Sequence, residues 1–320
     1  MREGLKMIYR ILAGIVTFFM MLYGTFGGMS RFDTVSKFRD TVKSISLYEN
    51  SIDTAAPQTD VYNIIKDHLT SAPAEGKTVK KAIVLGYDGC RADTLSLCGE
   101  NGAIKYLLST GGTAKIAYCG GVNYPAFNKQ ATSTAPGWAS ILTGQWADVH
   151  GVTDNGIKKS NDHLTLLTTL VEDGTIDSSA FYVSWNGHLN TDNGTYALEN
   201  EYCAEKGLNV TFSDAEDDDG TFANTCADIA RPDCSDFIFT IFEYTDHAGH
   251  DTGFGLANPD YTKAFADEEA QAKAIIDAIE ARPEYGTEDW LIIITTDHGG
   301  INKGHGFITI QERMTFIAVR

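Results

Sequence analysis

The chain has 320 residues, 43% of them hydrophobic and 11% aromatic, a composition that supplies a large core and excludes a disordered chain. It carries 43 acidic against 25 basic residues, a formal charge of −18. A surface of that sign repels nucleic-acid polymers and anionic membranes at long range, so an anionic substrate would need local positive charge such as bound metal ions.

In chain order, the first element is apolar. Arg2, Lys6 and Arg10 precede residues 11–29, which hold no charged residue. Nineteen residues at about 1.5 Å rise nearly span a bilayer core of about 30 Å. The basic flank predicts that the N-terminus stays inside and the rest is exported. No A-x-A cleavage site stands out, so residues 1–30 read as a membrane signal anchor with an extracytoplasmic body, a secreted form being the alternative. Residues 31–77 are polar, with Pro57, Pro73 and Gly76, and read as a stalk or helical preface to a domain spanning 78–320.

From Lys80 the texture becomes regular. Apolar runs at 82–87, 113–118, 180–183, 236–242, 290–294 and 314–319 read as strands. A helix is expected to begin at Gly137 after Pro136, and another spans Tyr261 to Ile279 before Pro283. This alternation predicts an α/β fold with a mainly parallel central sheet and helices on both faces. Residues 188–235 interrupt it and read as a solvated insertion. Within it, DAEDDDG (214–220) fails as a calcium loop because Ala215 breaks the register and Cys226 stands where the closing Glu belongs. The six cysteines form no CxxC pair, and in an exported chain disulfides among Cys203, Cys226 and Cys234 are the expectation.

In sheets of this kind, ligands bind beyond the carboxyl ends of the strands. Asp88 follows the first strong strand. Asp246 and His250 follow the 236–242 strand. Asp297 and His298 follow the 290–294 strand, with His305 close behind among Gly299, Gly300, Gly304 and Gly306. A lone Asp after a strand is commonly a helix cap, but three strand ends delivering carboxylate and imidazole together call for a shared cause. Mixed carboxylate and imidazole donors suit zinc and its neighbours. Six are too many for one tetrahedral ion and fit two. Thr134, ahead of a helix N-terminus, is the candidate nucleophile, its competing reading being a helix cap.

The set YDGCRAD (87–93), STAPGWASILTG (133–144), DVHGVTDN (148–155), DHAGH (246–250) and DHGGINKGHG (297–306) resembles the alkaline phosphatase superfamily, in its type I phosphodiesterase/nucleotide pyrophosphatase branch. The resemblance implies an alkaline phosphatase-like fold. It implies one metal held by Asp246, His250 and His305, and a second held by Asp88, Asp297 and His298 with Thr134 as nucleophile beside it. Asn155 matches the residue that hydrogen-bonds a phosphate oxygen. It implies two divalent ions, zinc being the first expectation, a small phosphate-ester substrate and a phospho-threonine intermediate. Ala135 and Gly137 depart from the aromatic and Asn that follow the nucleophile in many relatives, which weakens a nucleotide preference, and the chain ends fifteen residues after His305, sooner than is usual there. The alternatives are a phosphomonoesterase, phosphonate hydrolase or sulfate ester hydrolase of the same superfamily, and, further off, an inert metal-binding surface protein. His247 reads as a rim residue, His150 and Cys90 as structural, and Lys303 as exposed.

Overall fold

In a computed structural model, the structure describes Asp40 and residues 54–120 and 130–320. The expected anchor at 1–30 lies outside these residues, and among the described residues no helix is long and apolar enough to cross a membrane.

Among the described residues, eight strands form one sheet: β1 (Ala56–Pro57), β2 (Val79–Tyr87), β3 (Thr113–Tyr118), β4 (Ser179–Val183), β5 (Val210–Asp214), β6 (Phe237–Phe242), β7 (Glu288–Thr295) and β8 (Met314–Val319). Their order across the sheet is β1-β3-β8-β7-β2-β6-β4-β5. All neighbours are parallel except β8, which runs against both β3 and β7. The sheet is therefore mainly parallel. β2 at its centre is buried from Lys81 to Tyr87, the continuous burial expected of a strand covered on both faces.

The alternation of side chains along β2 sorts the two faces. Ala82 and Val84 join a core cluster with Val61, Ile65, Trp138, Ile141, Leu166 and Phe239. These come from the helices Asp60–Thr70, Thr134–Thr143 and Leu166–Glu172 and from β6. On the opposite parity, Tyr87 meets Phe265 of the Pro259–Glu280 helix edge-on at 6.3 Å. Asn258 caps that long helix by accepting from the Asp260 N–H, and Pro259 opens it.

Three expectations change. First, residues 60–70 are a helix that buries Val61, Ile65 and Leu69 on the sheet, and residues from Ala55 onward belong to the folded unit. Second, residues 188–235 are not a solvated insertion. They contribute the Ala197–Lys206 helix, β5 and the Asp218–Ile229 helix, continuing the α/β alternation to the sheet edge. The acidic run works as structure there: Asp217 caps the helix through Gly220 N–H, and buried Asp218 accepts from Ser184 Oγ and the Glu243 N–H. Third, all six cysteines are free thiols.

Ile65 is fully buried. Ile65→Ala is expected to cost about 2–5 kcal/mol, read as a lower urea midpoint; an unchanged midpoint would show that this helix is not part of the cooperative unit.

Candidate metal centre

The site exists because three neighbouring strands end level. Gly86 pairs with Ile241 of β6 and Thr295 of β7, so the residues after β2, β6 and β7 leave the sheet side by side. Asp88 follows β2. Glu243 follows β6 and opens the Tyr244–Thr252 helix, which carries Asp246 and His250 one turn apart on the same face. Asp297 and His298 follow β7. The loop beyond them returns His305, with Gly306 at a φ of 110° where a side chain would be strained.

All six predicted ligands come together. Asp246, His250 and His305 form one group, and Asp88, Asp297 and His298 form another, the donor atoms of each lying within 4.8 Å of one another. In the first, Asp246 Oδ2 is 3.3 Å from His250 Nε2, and Asp246 Oδ1 is 3.6 Å from His305 Nε2. In the second, His298 Nε2 is 3.3 Å from Asp297 Oδ2 and 3.5 Å from Asp88 Oδ1. The rings of His298 and His305 stack at 4.0 Å and link the groups.

The hydrogen bonds fix how each imidazole is presented. Nδ1 donates to Lys303 O in His250, to Gly299 O in His298 and to Thr132 O in His305. A carbonyl can only accept, so the Nδ1 atoms carry the protons and the Nε2 lone pairs turn to the carboxylates. His250 Nε2 and His305 Nε2 stand 3.1 Å apart, two acceptors that need a cation or a proton between them. Buried Asp246 Oδ1 and Asp297 Oδ2 have no hydrogen-bond partner. Orphaned carboxylate oxygens facing imidazole lone pairs fit divalent metal ions such as zinc.

The electrostatics agree. In the chain alone, burial and then the charge of Asp246 push Asp88 well above the usual carboxylate range. Burial and then the charge of Asp88 do the same to Asp297. Burial also works to raise Asp246, but the His250 hydrogen bond and the neighbouring imidazoles outweigh it and hold this carboxyl low. His250 is raised to about 9 by that same bond, a proton standing where a cation would. His298 is depressed to about 3, chiefly by burial.

Thr134 is the first residue of its helix, which begins three residues earlier than the Gly137 start expected from sequence. The capping position is Ser133, and no side chain caps this helix end. Thr134 Oγ1 lies instead 3.4 Å from Asp88 Oδ1 and 3.5 Å from His298 Nε2. The cap reading of Thr134 is thereby replaced. Among the first-turn donors, Ala135 N–H goes to Asn155 Oδ1 at 2.9 Å, Pro136 has none, and Gly137 N–H returns to Ser133 O. That leaves the Thr134 N–H for an incoming oxygen and the Asn155 Nδ2 protons for another.

Two residues of the site carried no assigned role in the sequence reading. Trp138 is fully buried, donates from Nε1 to Asp88 Oδ2 at 2.7 Å, and lies so close over Gly86 that a Cβ there would meet its ring at 2.5 Å. Glu243 brings a carboxylate within 4.8 Å of Asp88 and Asp246; the rule that found the other ligands, the residue after a strand, also points to it. His247 is exposed at the rim, as expected. His150 is structural, its ring nitrogens serving Ser140 and Val152. Cys90 is buried, and burial pushes its thiol up, the setting of a structural cysteine.

The family model for type I phosphodiesterases/nucleotide pyrophosphatases matches residues 82–305, and the chain belongs to that family, a branch of the alkaline phosphatase superfamily. No curated protein matches. Among solved structures, murine ectonucleotide pyrophosphatase/phosphodiesterase 5 is 18% identical, over 69% of this chain and 57% of that one, with a TM-score of 0.45. A sulfatase-like protein from Bacteroides thetaiotaomicron is 13% identical, over 75% of this chain and 64% of that one, with a TM-score of 0.50. At such identity the second likeness speaks to fold alone. The chain spans less than two thirds of either relative.

His188, fully buried beside this site, is depressed from 6.5 to about 3 by burial. A lowered histidine contributes stability that is present above pH 6.5 and is lost as pH falls toward 3. Between pH 7 and 4, His188→Phe is expected to flatten the pH dependence of the unfolding free energy by one proton, measured by urea titration; an unchanged slope would mean the ring charges in the folded state.

Proposed function

We propose that the protein is an exported two-metal hydrolase of small phosphodiesters or pyrophosphates that works through a phospho-threonine intermediate. The observation that carries this reading is Thr134 Oγ1, free of capping duty and held beside Asp88 and His298 at a helix N-terminus. Asp88, Asp297 and His298 would hold one divalent cation and Asp246, His250 and His305 the other. Zinc fits these donors best, although manganese or iron could take their place. Bound there, the cations supply charge neutralisation for the phosphoryl group and lower the pKa of an adjacent hydroxyl and water.

The residues do the rest. Thr134 Oγ1 attacks phosphorus in line with the leaving group. As the new P–O bond forms, the bond to the leaving oxygen breaks, and that oxygen takes up the equivalent of the proton the threonine gives up. Asn155 is fixed through its Oδ1 by the Ala135 N–H and so offers its amide protons to a non-bridging oxygen, with the Thr134 N–H and the helix end adding to the stabilisation. Trp138 holds Asp88 in place. Water then cleaves the phospho-threonine and restores the hydroxyl. Ala135 offers no aromatic surface to a base, which favours a substrate chosen by its phosphoryl group over one chosen by a nucleobase.

On the full chain loaded with zinc, hydrolysis of bis-p-nitrophenyl phosphate should exceed that of p-nitrophenyl phosphate and should stop on chelation. Preference for the monoester or for a sulfate ester would keep the centre but move the activity elsewhere in the superfamily. Thr134→Ala should lose at least about 10³-fold in kcat while its metal content, by elemental analysis, stays that of the parent. Asn155→Ala should lose about 10²–10³-fold; full activity in either variant would sink its assigned role.

A further inference from the structure

Neither ligand triad uses Glu243. The residue closes β6, is 2% exposed, and is anchored by its own N–H, which donates to Asp218 Oδ1 at 2.9 Å. Its carboxylate lies within 4.8 Å of donor oxygens of Asp88, from one triad, and of Asp246, from the other. Glu243 Oε1 has no hydrogen-bond partner. A second, independent feature stands beside it. His188 is fully buried, both its ring nitrogens lack partners, and Nε2 is 3.9 Å from Glu243 Oε1, too far for a hydrogen bond. The ring is fixed there by Phe181 and Trp185, edge-on at 5.7 and 4.9 Å, and by Tyr196, stacked at 5.8 Å.

A buried carboxylate without a donor is tolerated where a cation compensates it. The two triads together supply three carboxylates, Asp88, Asp297 and Asp246, against the four positive charges of two divalent ions; Glu243 makes the count four against four. We infer that Glu243 is a charge-balancing and positioning carboxylate of the metal centre, shared between its two halves, and that it sets the affinity of the centre for its cations. His188 and the aromatic rings around it keep this carboxylate turned away from water, so that the cations are its compensating charge. The inference rests on the two-cation reading above.

Zinc binding to the full chain is measured by calorimetry, together with the melting temperature with and without zinc. The parent should bind two zinc ions. Glu243→Gln keeps the shape and removes the charge; its zinc Kd should rise about 10- to 100-fold, and the zinc-induced rise in melting temperature should shrink. A purely structural Glu243 would instead lower the metal-free melting temperature and leave the zinc-induced rise intact. Should the amide variant fail to fold, Glu243→Asp, which keeps the charge but withdraws the oxygen, makes the same comparison with a smaller expected rise in Kd. A parent that binds two ions and variants with an unchanged Kd overturn this inference alone. A parent that binds no zinc overturns it together with the two-cation reading.

Discussion

The site depends on the level ending of β7, β2 and β6. These three strands are adjacent and parallel, and their registers bring Asp88, Glu243 and Asp297 to one edge of the sheet. A slip of one residue in either pairing would turn each side chain to the other face of the sheet and scatter the ligands. The apolar runs of these strands, buried on both faces, are what hold the register. The core is thus the fixture on which four acidic side chains are brought together against their mutual repulsion.

Around that fixture, contacts from other elements lock the ligands. Thr245 Oγ1 donates to Asp88 O at 2.6 Å, and Glu268 of the long helix accepts from the Thr245 N–H, tying the β6 helix to the end of β2. Glycines just past β2 and in the helix bearing Thr134 admit further close approaches. A Cβ on Gly89 would meet Asp246 Oδ1 at 2.5 Å, and one on Gly137 would meet Asp297 Cβ at 2.8 Å. With no side chain at Gly137, the helix bearing Thr134 can sit closer to Asp297 than a larger residue would permit. Asn155 Oδ1 and the Nδ1 protons of His250, His298 and His305 are all held by backbone atoms, so these side chains are fixed in place within the candidate site.

Much of this was legible in the sequence because its signals are local. β3 and β8 fall where their apolar runs placed them, and the clustered candidate ligands are those that come after each strand. Glu243 is open to the same rule, but a lone carboxylate directly after a strand and without an imidazole beside it carries a weaker signal than Asp246 and His250 one turn further on. Residues 188–235 depart from the expected solvated insertion for a physical reason. β5 is an edge strand with no buried residue, and the Ala197–Lys206 helix buries only a narrow face, so neither shows an apolar run. The Asp60–Thr70 helix does carry Val61, Ile65 and Leu69 at helical spacing, but within a polar stretch. Trp138 could not be assigned from sequence, since its hydrogen bond to Asp88 spans fifty residues and depends on the missing side chain of Gly86.

The most direct test of the account is anomalous diffraction at the zinc edge from crystals of the full chain grown with zinc. It predicts two anomalous peaks, one among Asp88, Asp297 and His298 beside Thr134 Oγ1 and one among Asp246, His250 and His305. A single peak, or peaks away from these six residues, would contradict it.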